Sequence, residues 1–463
     1  MEEWVKDWVK EQREKGEKGI EIKRQANRYY VYRSTTYWDK KSKKRRKKSI
    51  YIGKLTKNGL VKKKEKKITV KQYGNALLLN RVMEELIPLL KVFESWKEIY
   101  ALSMIRLMGY IPLKRAKTVW EKLYTNINPN MNPKKLSAVL KEVGLNREGQ
   151  NKVFQKLMDS KTFAYDLSFV FTRSAINLAE IGYNKDRIHI PQINIALLYS
   201  TEGLPAMIKA IPGSVRDIKT LYNTVKEIDS EITLVLDRGF FSMDVVKFLI
   251  DKISFVIPAR RNSKLYEERI NLEKHFFYRG RLIKCGKKEM TIVLKEEKKY
   301  FLYLFEDVIL RAEEEVNLYR SLDEGRSSRN EMTKNLERAG KILILSNLDR
   351  NEEEIFLMYK QRDGVEKAFD VYKNVLNADR MYLQDDESVF GHIFISFLSL
   401  YGYCKLQCML REKGIIDKVS PMDLLEEFSR VYIVNIGGKE MISEVPKKVE
   451  DLDEKLGLNL FPK

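Results

Sequence analysis

The chain has 463 residues, 44% of them apolar, enough to bury a sizeable core spread over roughly two to four domains. Lys and Arg number 86 against 65 Asp and Glu, a net charge of +21, so the natural partner is a polyanion. Three cysteines exclude a disulfide framework, and the charged opening MEEWVKDWVK argues against a signal peptide.

The charge is unevenly placed. Residues 1–70 hold 24 basic and 9 acidic residues, so most of the excess lies at the N-terminal end. Each phosphate contact made there would add a salt-dependent, sequence-blind term to binding. The longest apolar run, around Val389–Leu400, falls short of the roughly 18 residues of a membrane span. A soluble, cytoplasmic, nucleoid-associated protein is expected.

Residues 1–70 read as a basic β module. Arg28–Arg33 alternates and is rich in β-formers, and Ser49–Gly53 reads as a second strand. Between them Asp39–Lys48 is nearly all Lys and Arg, an expected exposed hairpin tip with Lys43, Lys44, Arg45 and Arg46 as candidate DNA contacts. The flanking tyrosines suit either nucleic-acid contact or a modest core. Residues 71–160 read as a helical DNA-binding region, with helices over Leu77–Phe93, Trp96–Met108, Pro133–Val143 and Arg147–Met158. The last two are compatible with a helix-turn-helix or with an inert bundle.

From 161 the texture changes to alternating strands and helices. Strands are expected at Thr162–Thr172, Gln192–Tyr199, Leu204–Ile211, Glu231–Leu236 and Ser254–Ala259, with helices at Asp217–Ile228 and Ser242–Asp251. That order predicts an α/β fold, a mixed sheet flanked by helices. Residues 262–340 interrupt it as a β-rich insertion, with strands at Phe276–Cys285, Met290–Lys295 and Lys299–Phe305 and a charged helical stretch at Leu310–Ala339. The core resumes over 341–415 with a strand, Lys341–Ser346, and two long helices, Glu352–Leu376 and Val389–Leu410. The tail 416–463 reads as mixed.

Two acids stand on strands. Asp166 interrupts Phe163–Val170, and Asp237 ends Ile232–Leu236 where strand turns to loop. A carboxylate among apolar strand residues is costly unless paired or metal-bound. On the expected helix Glu352–Leu376, Tyr359, Arg362, Glu366 and Lys373 fall within about 60° of arc at about 100° per residue. Met358, Val365, Phe369, Tyr372 and Leu376 form an apolar stripe beside them. That arrangement suits one acid set among bases against a phosphate backbone, or a solvated face with an Arg362–Glu366 pair. Arg260 and Arg261 follow the strand after Asp237 and suit a DNA-contact loop or plain surface. His189, His275 and His392 share no metal-ligand spacing, and no Walker-type loop appears.

The spacing Tyr359-(2)-Arg362-(3)-Glu366-(6)-Lys373 resembles the signature of insertion-sequence transposases with an Asp-Asp-Glu triad. Asp237-Arg-Gly-Phe resembles their second-Asp motif. Tyr165-Asp166-Leu-Ser168 resembles the first, with Ser for the usual Thr. Gly182–Asp186, Gly203–Pro205 and Gly213–Asp217 look like further landmarks, with Ser214 where Asn is usual. The resemblance implies a ribonuclease-H-like fold with a β-rich insertion before the glutamate helix. It implies that Asp166, Asp237 and Glu366 bind two Mg²⁺ or Mn²⁺ ions for cleavage and joining of DNA, so that no protein atom is the nucleophile. Arg362 and Lys373 would hold phosphates, supported by Tyr359. Terminal inverted repeats and target DNA would be the partners, handled by a homodimer. A structure-specific nuclease of the same fold, a non-catalytic DNA-binding descendant and a basic RNA-binding protein remain open alternatives.

Overall fold

The computed structural model describes residues 1–39, 43–62, 68–182, 184, 188–215, 217–228 and 231–462. Two compact units emerge, Met1–Val70 with Ile433–Ile442, and Lys71–Tyr432 with Ser443–Lys463.

The first unit opens with a helix that the sequence reading passed over, α1 (Glu3–Glu14). Four antiparallel strands follow in spatial order, β1 (Ile20–Gln25), β2 (Arg28–Asp39), β3 (Lys44–Thr56) and β4 (Gly59–Lys62). The tyrosines do not all join the core. Tyr29 is buried with Val5, Val31 and Leu55, and Trp4 and Trp8 of α1 pack onto that cluster. Tyr32 and Tyr51 instead meet each other, ring centroids 5.4 Å apart.

The second unit begins within β5 (Ile68–Gln72) and goes on to helices α2 (Gly74–Met83), α3 (Leu86–Leu90), α4 (Trp96–Leu107), α5 (Leu113–Trp120), α6 (Pro133–Leu145) and α7 (Arg147–Leu157). Asn132 caps α6 and Asn146 caps α7, each accepting a backbone N–H of the first turn. Strands β6 (Thr162–Phe171), β7 (Gln192–Ser200) and β8 (Pro205–Pro212) form an antiparallel ladder. Then come α8 (Asp217–Glu227), β9 (Thr233–Leu236), α9 (Met243–Ile250) and β10 (Ser254–Pro258). Ser242 caps α9 through Val245 N–H, as its position before the apolar run predicts.

The next stretch corrects the expected strands. Phe276–Cys285 is two strands, not one. β11 (Lys274–Tyr278) and β12 (Arg281–Val293) meet at a tight turn in which Arg279 and Gly280 both have positive φ. β12 also takes in the expected strand Met290–Lys295 as far as Val293, and β13 (Glu297–Asp307) pairs with it. The charged segment is two helices, α10 (Val308–Asp323) and α11 (Arg329–Arg338), before β14 (Lys341–Ser346).

Among the described residues one sheet runs β11-β12-β13-β14-β10-β9-β6-β7-β8. The inserted strands thus continue the central sheet through β14. The expected long helix is also interrupted. It divides into α12 (Glu352–Gln361), α13 (Asp363–Asp370) and a π turn at Val371–Val375. Ile355 and Phe356 of α12 share one apolar cluster with Phe276, Ile283, Phe301, Tyr303 and Phe305 of the inserted strands.

The helix α14 (Asp386–Glu412) is longer than the apolar run suggested. By length and composition it could cross a bilayer, but 78% of its most apolar window is buried inside the protein, as in a core helix. It packs along α6 and α4. The α6–α7 pair therefore spends its apolar faces on the core, with Leu136, Val139, Leu140 and Val143 of α6 buried. The tail forms α15 (Pro421–Phe428), a hairpin of β15 (Tyr432–Ile436) and β16 (Lys439–Ile442), and α16 (Lys447–Leu456). Cys285 and Cys404 are buried free thiols.

Candidate active site

Two neighbouring strands bring the aspartates together. β6 and β9 run parallel with Tyr165 opposite Leu236, so Asp166 and Asp237 follow in the same register. Adjacent strands lie about 4.8 Å apart. β9 ends at Leu236 while β6 continues to Phe171, so the acids stand where β6 loses its partner on one side.

Asp166 Oδ1 accepts the N–H of Leu167 at 2.8 Å. Burial pushes its carboxyl up to about 6, against the pull of that N–H and of Arg362, and the charges of Asp237 and Glu366 add to the rise. Asp237 caps the short 3-10 turn Arg238–Phe240 by accepting Gly239 N–H at 3.5 Å. Arg260, at the end of β10, donates to the Gly239 carbonyl at 2.9 Å and so ties down the loop that carries Asp237. Arg261 turns away to Glu314 of α10, at 2.5 Å. The structure therefore brings Arg260 to the site and not Arg261.

Glu366 comes from α13. Gly364 lets that helix press on the sheet, because a Cβ there would lie 3.0 Å from the Tyr199 ring of β7. Arg362 occupies the seam between α12 and α13. There the N–H of Arg362 bonds the Tyr359 carbonyl and the N–H of Val365 bonds the Arg362 carbonyl, both three-residue turns. Its Nη1 lies 2.9 Å from Glu366 Oε1 and 3.6 Å from Asp237 Oδ1, and only 12% of the side chain is exposed. The guanidinium carbon lies 5.9 Å from the centroid of the half-buried Tyr359 ring. Two of the three acids, Asp237 and Glu366, thus share a single guanidinium, and Asp166 stands beside Asp237 across the β6–β9 register. Lys373, on the π turn, sits farther along β6 with its ammonium 4.8 Å over the Phe169 ring.

Among the described residues no group of three or more His, Cys, Asp or Glu side chains forms a ready-made metal site. Between Asp237 and Glu366 the positive charge is Arg362.

Lys44, Arg45 and Arg46 lie on β3 in the first unit, opposite Asp39, Trp38 and Tyr37, with Lys43 at the turn. Trp38 is 58% exposed, and Arg46 pairs with Asp39 at 2.9 Å. Gly182 and Gly213 pack backbone to backbone, where a Cβ on Gly182 would sit 1.9 Å from the Gly213 carbonyl oxygen. Tyr183, Lys185, Asp186 and Arg216 of the landmark motifs lie outside the described residues.

A buried network was missed by sequence reasoning. Arg106 of α4 donates to the His392 carbonyl and to Ser396 Oγ, both at 3.1 Å, and the His392 ring meets the Ala378 carbonyl at 2.9 Å. It braces the chain just after the π turn. Its one sequence signal was an arginine inside the apolar run Ala101–Met108.

The sequence matches the transposase DDE domain over residues 156–401. The cryo-EM structure of a piggyBac transposase synaptic complex with hairpin DNA is similar at 13% identity and a TM-score of 0.40, covering 77% of this chain and 79% of that one. No curated protein sequence matches. With the family match spanning more than half of the chain and holding all three acids, the protein belongs to the transposase DDE-domain family.

Proposed function

We propose that the protein is a DNA transposase that cleaves at the ends of its element and joins them to target DNA, with Asp166, Asp237 and Glu366 as the catalytic acids. The observation that carries this is that three acids remote in the chain come together, Asp166 and Asp237 at matching positions of neighbouring strands and Asp237 and Glu366 on one guanidinium, that of Arg362. The order β8-β7-β6-β9-β10, antiparallel in its first three strands and parallel thereafter, supports a ribonuclease-H-like core.

With Arg362 between Asp237 and Glu366 the acids are not gathered as a metal site, but their donor chemistry suits divalent metal. The donor set is all carboxylate oxygen, the chemistry of Mg²⁺ or Mn²⁺ sites. Burial, and after it the neighbouring charges of Asp237 and Glu366, raise the Asp166 carboxyl, a cost that a bound cation would relieve. Asp166, Asp237 and Glu366 would hold the ions, which supply Lewis acidity to phosphoryl transfer. Arg362 must then give up its acids. Its hold suits that, because Nε is buried without an acceptor and the contact to Asp237 is long. Once released, the guanidinium is placed to hold a phosphate beside the scissile bond. Lys373 adds a point charge farther along the strand, and Tyr359 steadies Arg362 from the other side. The basic hairpin of the first unit would add sequence-blind phosphate contacts. Two DNA ends call for a homodimer at the nucleoid.

The test uses duplexes carrying the element's ends with Mg²⁺. The protein should nick and join them, and Asp166→Asn, Asp237→Asn and Glu366→Gln should each lose about a thousandfold or more. Variants that still nick and join would remove these acids from the chemistry. Cleavage without joining by the unaltered chain would make it a nuclease. Binding without cleavage would make it a DNA-binding protein only.

A further inference from the structure

A groove of about 700 Å³ opens where β6 ends, lined by Phe171, Arg173, Asp379, Arg380 and Tyr382 among others. Resting on the transposase reading, we propose that this groove receives unpaired nucleotides of the DNA strand held at the acids. Phe171 and Tyr382 are its stacking platforms, and Arg173 and Arg380 its phosphate contacts.

Four observations converge. Tyr382 is 81% exposed, a large ring left in water. Arg173 and Arg380 are exposed and make no ion pair among the described residues, so two cations face the lone lining carboxylate, Asp379. The Phe169 and Phe171 rings lie 5.1 Å apart, and Lys373 lies over Phe169, so one cation and two rings lead from the π turn along β6 to the groove. Finally, among the described residues β6 beyond Tyr165 pairs with no strand on the β9 side, so the backbone of that edge is not taken up by the sheet. Cations interleaved with exposed rings are the makings of a single-strand site, because each base offers a face only when unstacked. The volume is that of a small-ligand cavity, far below what a duplex turn needs. Phe171 stands five residues past Asp166, about 17 Å at strand spacing. At the duplex rise of about 3.4 Å per nucleotide, and with fewer where the strand is unpaired and extended, the groove lies at most about five nucleotides from the acids.

The test is fluorescence anisotropy on the full chain without divalent ion. A blunt duplex is compared with the same duplex carrying a single-stranded extension of about eight nucleotides, 3′ or 5′. The extension of one polarity should tighten binding about tenfold. Tyr382→Ala, and Arg173→Ala with Arg380→Ala, should erase that gain and leave blunt-duplex affinity unchanged, whereas Tyr382→Phe should keep it. Tyr382 is exposed, so its replacement does not threaten folding, and a thermal melt checks this. No gain from either extension, or equal weakening of blunt and extended duplexes, would overturn the assignment. Neither result touches the separate cleavage test of the three acids.

Discussion

Arg362 holds Glu366 and Asp237 through the same nitrogen, Nη1, at 2.9 and 3.6 Å. The guanidinium therefore stands where a divalent ion would be most attracted, and the two must compete. Arg362→Ala should tighten Mn²⁺ binding in DNA-free protein by about tenfold, since a unit positive charge a few ångströms away is removed. DNA joining should fall at the same time, because the phosphate beside the scissile bond no longer meets a guanidinium. Calorimetric titration with Mn²⁺ decides it. Unchanged or weaker affinity would mean that arginine and metal occupy different places.

Asp166 gives a pH signature. Its carboxyl titrates at about 6 when folded against an ordinary 3.8, so folding favours the protonated form. That contribution is fully present below the lower value and is lost as pH rises through the higher. Above it, the ionised carboxylate costs at most roughly 3 kcal/mol. Asp166→Asn keeps an oxygen for the Leu167 N–H and removes the charge. In metal-free protein the variant should be the more stable above pH 6, with the gap closing toward pH 4. Denaturant midpoints that differ equally at both ends of that window would rule this out.

The α6–α14 contact is a second sensitive point. A Cβ at Gly391 would lie 1.9 Å from the Leu140 carbonyl oxygen, and one at Gly144 would lie 1.7 Å from that of Glu387. Backbone cannot yield as a side chain can. Gly391→Ala should cost about 1–3 kcal/mol, read as a lower urea midpoint. A neutral substitution would show that the two helices are free to separate.

The basic hairpin predicts a salt effect. Arg45 pairs across the ladder with the exposed Trp38, and Lys44 lies opposite Asp39. Lys44→Ala with Arg45→Ala should weaken duplex binding regardless of sequence. It should also flatten the plot of log affinity against log salt by about 0.9 for each phosphate no longer neutralised. An unchanged slope would remove the hairpin from the DNA interface.

The sheet and the acids were legible because their signals are local. β6, β7, β9 and β10 are short, apolar, buried runs, and an acid that breaks or ends such a run stands out. The turn at Arg279–Gly280 was not legible, because Arg279 takes positive φ without the usual Asn or Asp to announce it. The helix α1 hid behind its charge, since only Val5 and its tryptophans face the core. Residues 352–376 carry helix formers throughout, so only Gly364 hinted at the break. The pairing of Arg261 with Glu314 joins a loop to the inserted helix, which no local pattern encodes. Nor could spacing reveal that Arg362 would lie between the acids rather than beside them.

The strand β14 is paired on both sides, with β10 and with β13. Residues 262–340 therefore cannot be excised as an appendage. Cutting them out would strip one whole border from Lys341–Ser346 and uncover the apolar bed beneath Ile355 and Phe356. A raw border of that kind recruits other chains. Shortened versions should clump instead of surviving as smaller, simpler forms.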